Sequence, residues 1–163
     1  MNVAALTAWL LTAALGLYMF TIWLIEDDGS QDGPGYRRLR APVVFSHVGL
    51  AVTGLVIWLL HLYIDLGRLV WVPVAILVAV AILGVTMFTR WVPVHRLANA
   101  QDRAESALRV TSGGQLKPAV PVVPAVVLPP ERNFPVTVVA LHGVFAVITV
   151  ILVVIATIAS SSL

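Results

Sequence analysis

The chain has 163 residues, of which 60% are hydrophobic and only 11% charged, and its mean hydropathy is +0.97. Soluble domains are about a quarter charged, so the composition excludes an ordinary soluble fold and calls for an integral membrane protein. The net charge of +2 gives no case for nucleic-acid binding, and the absence of cysteine excludes disulfides, thiolate metal sites, thiol catalysis and covalent c-type haem attachment.

Four apolar runs have the roughly 20 residues that a helix needs to cross a hydrocarbon core. They predict helices over 3–25, 43–66, 70–91 and 136–159. Long unbroken runs do not alternate as barrel strands do, so the expectation is an all-α, integral membrane four-helix bundle forming one domain over residues 1–163. The first run has no Lys or Arg before it and stays apolar to Ile25, so it reads as a retained helix rather than a cleaved signal. A solvated loop follows, from the acidic Glu26, Asp27, Asp28 and Asp32 through Gly33-Pro34-Gly35 to Arg37, Arg38 and Arg40. Only a few residues around Gly67 separate the second and third runs, which predicts a tight antiparallel hairpin, with Asp65 and Arg68 as a clasp across the turn. After the third run, Val94 to Val110 has the composition of a short helix on the membrane surface. Pro118, Pro121, Pro124, Pro129 and Pro130 then predict an extended, Pro-rich connection covering one mouth of the bundle.

The candidate chemistry lies in the histidines. His47 and His61 are 14 residues apart, which places them on nearly the same helix face, roughly 21 Å apart along the axis. His142 follows Pro135 by seven residues and His47 follows Pro42 by five, so the two differ in depth by roughly 3 Å. Polar side chains in lipid are costly unless they face an interior or a partner. Two imidazoles at one depth can hold the iron of a haem b by its two axial positions, which leaves no position for oxygen and favours electron transfer. His47 and His142 are therefore the predicted axial, iron-binding pair, with one haem per chain. Gly54, with Ala51, makes a small-residue notch on the His47 face that suits a flat ring, or simply close helix packing. Phe145 and Ala146 follow His142 as one wall and one gap.

His61 has no histidine at its own depth. A second haem there needs a ligand from a neighbouring copy across a two-fold axis, while the alternatives are a quinone site walled by Trp58 and Trp71 or an interfacial position. His95, just after Pro93, reads as an interfacial side chain or a substitute ligand to the first haem. Arg90 and Arg96 lie on the same side as the Arg37, Arg38 and Arg40 cluster, where guanidinium groups suit haem propionates, although topology alone accounts for them. No catalytic triad is present, and Gly33-Pro34-Gly35 lacks the context of a phosphate loop.

The segment Ser46-His47 through Trp58 to His61, followed by Leu141-His142-Gly143 in a later helix, resembles the histidine-bearing helices of small bacterial b-type cytochromes and cytochrome membrane anchors. That resemblance implies haem b ligated by histidines on separate helices, quinone or a redox protein as partner, and the inner (plasma) membrane as location. The chain departs from the two-haem pattern, which puts a histidine pair on each of two helices, because its fourth helix has one. Two other readings stay open: a non-catalytic accessory or assembly subunit of a larger complex, and a metal-handling protein using His47, His95 and His142 together.

Arg37, Arg38, Arg40, Arg90, Arg96, Arg103, Arg109, Lys117 and Arg132 fall on one side of the predicted helices and only Arg68 on the other. The positive-inside rule makes the richer side cytoplasmic and both termini external. A reporter that works only in the cytoplasm, fused after Leu163, is expected to be silent; a signal there inverts the topology.

Overall fold

The computed structural model describes residues 2–26, 39–64, 70–111 and 130–161. Within them lie four helices, α1 (Asn2–Glu26), α2 (Ala41–Tyr63), α3 (Trp71–Thr111) and α4 (Val136–Ser161), with a 3-10 turn at Pro130–Asn133 before α4. Pro42 sits in the first turn of α2, where the missing N–H has no intrahelical acceptor in any case. Pro135 precedes α4, and its carbonyl accepts from the N–H groups of Val138 and Val139.

All four helices are long and apolar enough to cross a membrane. Large apolar side chains such as Leu17, Val85, Val144 and Ile158 point outward with more than half their surface exposed, as helices apolar on every face do when lipid is the solvent. The chain is a multi-pass membrane protein. The acidic residues Asp27, Asp28 and Asp32, the Asp65–Arg68 clasp and the Pro-rich stretch 112–129 lie outside the described residues.

The third helix differs from expectation. The segment predicted as a separate surface helix, Val94–Val110, continues α3 without a break, and Pro93 lies inside it. A proline costs one ladder bond, but Trp91, Val94 and Ala98 are all buried on one face. Packing along that stripe carries the helix past the proline. The Trp91 indole N–H also donates to the Glu131 carbonyl at 3.1 Å, tying α3 to the 3-10 turn.

The bundle is built from two close pairs. α1 packs along α4, and α2 along α3, while contacts between the pairs are sparse. Two cores join the pairs, one at each end. Far from the basic residues, Ala5, Trp9, Trp58, Leu77, Val153 and Ala156 pack together; at the basic end, Trp23, Leu39, Val44, Trp91 and Phe134 do so. The basic-end core is reinforced by polar bonds, in which the Leu39 N–H donates to the Glu131 carboxylate and Asn133 donates to Glu26.

Between these cores none of the helices has a fully buried residue: 10–22 on α1, 45–53 on α2, 78–90 on α3 and 135–148 on α4 are all at least partly accessible. At 1.5 Å per residue that is a level of about 13–20 Å between the two cores.

Gly54 of α2 sits at the edge of the far core, where an added Cβ would meet Ile76 at 3.0 Å and Trp9 at 3.2 Å. Its notch is therefore filled by neighbouring helices, the close-packing alternative of the two. Gly49 has nothing within 4 Å of such an atom. Gly54→Ala is expected to destabilise the bundle by about 1–3 kcal/mol through overpacking, while Gly49→Ala should leave it unchanged or slightly more stable. Thermal unfolding in detergent compares the two, and equal midpoints would refute the packing argument.

Candidate functional site

His47 and His142 come together at the level between the two cores. Their ring centroids are 6.4 Å apart, with the rings inclined at 56°. Each imidazole is fixed by the partner helix of its own pair. His142 Nδ1 donates to the Thr12 carbonyl of α1 at 3.0 Å, and His47 Nδ1 donates to the Val80 carbonyl of α3 at 3.1 Å.

The local geometry repeats. One turn beyond each accepting carbonyl stands a glycine: Gly16 after Thr12, and Gly84 after Val80. A Cβ on Gly16 would come within 3.0 Å of His142 Cε1, and one on Gly84 within 3.3 Å of His47 Cε1. A helix carbonyl already bonded along its axis retains a second lone pair, but side chains usually crowd access to it. The glycine clears that flank and lets the ring lie against the partner helix. The Thr12 and Thr149 hydroxyls, 3.1 Å apart, add a polar link between α1 and α4 one layer away.

These bonds determine the protonation of both rings. A carbonyl oxygen only accepts, so Nδ1 carries the proton and Nε2 bears a lone pair. Among the described residues neither Nε2 makes a hydrogen bond. Each ring therefore carries one basic nitrogen. A metal held in line between two imidazoles at about 2.0 Å each would separate their ring centres by about 6 Å, near the 6.4 Å found. Among the described residues no third His, Cys, Asp or Glu joins the pair. A bare ion would have two protein donors where zinc takes three or four; a porphyrin supplies four of its own and needs only axial ligands. The donor set fits haem better than a free cation.

The other predicted residues are placed elsewhere. His61 lies beside Trp58, with ring centroids 5.7 Å apart, about 21 Å from His47 along α2. His95 stacks on Trp91 at 4.9 Å and accepts at Nε2 from the Asn99 amide at 2.9 Å. It is 11 residues beyond Gly84, about 16 Å along α3, and is not brought to the His47–His142 pair. Arg90 is half-buried, about 9 Å along α3 from Gly84, and the exposed Arg96 is about twice as far. Phe145 and Ala146 are half-buried on α4 one turn from His142.

Sequence reasoning missed Gly16 and Gly84, and with them the carbonyls of Thr12 and Val80. A signal was present: each of the two helices without an intramembrane histidine contains a single glycine. No protein-family model, curated protein or solved structure matches the chain.

Nitrogen-15 NMR of histidine-labelled protein without added cofactor is expected to show His47 and His142 protonated at Nδ1 and bare at Nε2, with His61→Gln and His95→Gln assigning the remaining signals. Protonated Nε2 atoms would remove the basis of the site.

Proposed function

We propose that this chain is a membrane-embedded haem b protein that carries electrons, with His47 and His142 as axial ligands to one haem per chain. The observation that supports this most is the pair of imidazoles from α2 and α4 with ring centroids 6.4 Å apart, each held through Nδ1 by a helix carbonyl so that Nε2 keeps its lone pair. When bound, haem supplies a reversible one-electron change at iron. The chain's own residues hold and tune it. The Thr12 and Val80 carbonyls accept the Nδ1 protons, which orients both rings and raises their basicity as ligands. Gly16 and Gly84 keep the flanks of the rings clear, and the tryptophan cores at either end exclude water. Two axial imidazoles leave no open position for oxygen or substrate. Arg90, and less directly Arg96, stand on the side where propionate carboxylates would find a cation. The positive-inside argument would put the basic end in the cytoplasm, and the cytochrome resemblance implies the plasma membrane, with quinone or a redox protein as exchange partner.

A second reading has one observation in its favour. The two Nδ1 bonds already link helices, which is all that a non-catalytic accessory subunit would ask of its histidines. That role leaves both Nε2 atoms idle, and the two readings separate there.

Oxidised and dithionite-reduced absorption spectra of the purified protein test the choice. The wild type is expected to show a low-spin b-type spectrum at one haem per chain. His47→Ala and His142→Ala should each abolish retention while the protein still inserts, and His61→Ala and His95→Ala should keep the full ratio. Colourless wild-type protein after expression with adequate haem would leave only the accessory role.

A further inference from the structure

At the end remote from the basic residues, three buried hydrogen-bonding atoms have no partner among the described residues: Trp58 Nε1, Thr157 Oγ1 and His61 Nδ1. Trp58 and Thr157 are both 0% exposed, so water does not reach them from outside. Thr157 is unusual among the threonines of these helices. Thr7, Thr12, Thr53, Thr86 and Thr149 each donate to the carbonyl four residues back, the ordinary way for a helical hydroxyl to be satisfied in lipid. Thr157 makes no such bond, and its hydroxyl is left for something else.

Helix phase and depth bring the three atoms to one region of the bundle. At 100° per residue, Trp58 and His61 lie within about 40° of the direction of His47 on α2, and Thr157 within about 60° of that of His142 on α4. His47 and His142 face each other, so these residues face each other further along. α2 and α4 run the same way, and His61 and Thr157 stand about 21 and 22 Å beyond their respective histidines. Trp58 packs in one cluster with Val153 and Ala156, immediately before Thr157. An indole N–H only donates, and a hydroxyl adjusts to what it meets. The surrounding side chains, Trp9, Leu77 and Val153, are apolar. The niche therefore suits a hydrogen-bond acceptor carried on an apolar body.

We propose that this niche binds the carbonyl oxygen of an apolar molecule, with Trp58 Nε1–H and Thr157 Oγ1–H donating and His61 Nδ1 adjoining. His61 and Thr157 lie within about one turn of the helix ends, where a bilayer offers carbonyls from two sources: the ring of a lipid-soluble quinone and the acyl ester of a lipid. The site shares no residue with the His47–His142 pair and stands apart from the haem reading.

The test is a titration of the full chain in vesicles with a decyl-tailed benzoquinone, followed by quenching of tryptophan fluorescence. Saturable quenching is expected. Thr157→Val, which keeps the volume and removes the hydroxyl, should weaken apparent binding about tenfold, and Thr157→Ser should restore it. Equal affinity in ester-linked and ether-linked phosphocholine vesicles identifies the quinone ring as the occupant, whereas tighter binding in ether-linked vesicles shows that lipid esters compete for the same donors. Absence of saturable quenching in both vesicles, or a Thr157→Val variant that binds as the wild type does, overturns the proposal. Haem-free protein is expected to bind equally, so failure of the haem reading leaves this test intact.

Discussion

A helix carbonyl bonded along its own axis keeps a second lone pair, and this bundle uses that lone pair twice, once at Thr12 and once at Val80, each time to accept an imidazole proton. Much of the interior follows from those two bonds. They fix the tautomer of each ring, hold it against the helix of its own pair, and require a glycine one turn further on to admit it. They also leave the proton on Nδ1 and a lone pair on Nε2 of each ring. In lipid every polar atom has to find its partner inside the protein; here half of each imidazole has done so.

The two halves of the bundle are equivalent in plan. α4 with α1 and α2 with α3 each contribute one histidine, one accepting carbonyl and one glycine, with matching chain directions. The sequence shows no repeat, and the likeness lies in spacing alone: Thr12 to Gly16 and Val80 to Gly84 are both one turn. Contacts within each pair are close and those between the pairs sparse.

What could be read beforehand was whatever depends on a single helix. Hydropathy marks the four spans, and distance from Pro42 and Pro135 puts His47 and His142 at one depth, because rise per residue is fixed. Contacts between helices were much less legible. Gly54 looked like a notch for a ring because it shares a face with His47, but Trp9 and Ile76 fill it, and neither can be anticipated without knowing which helices are neighbours. Gly16 and Gly84 sit on helices with no intramembrane histidine, so a search centred on histidines passes over them. The apolar run ends at Trp91 and points to a separate surface helix from Val94; the buried stripe of Trp91, Val94 and Ala98 instead carries α3 on through Pro93.

The two end cores have a consequence for how the middle is filled. Trp9 and Trp58 close one mouth, and Trp23, Trp91 and Phe134 close the other, with the Glu131 bonds locking the basic end. A rigid disc cannot pass through either plug without undoing it. The sparse seams between the pairs, which open sideways into lipid, remain as routes, along with the time before the pairs meet. On the proposed reading, loading of a haem would be coupled to assembly in the bilayer rather than to exchange with the aqueous phase, and the group once enclosed would leave only as fast as the two halves part.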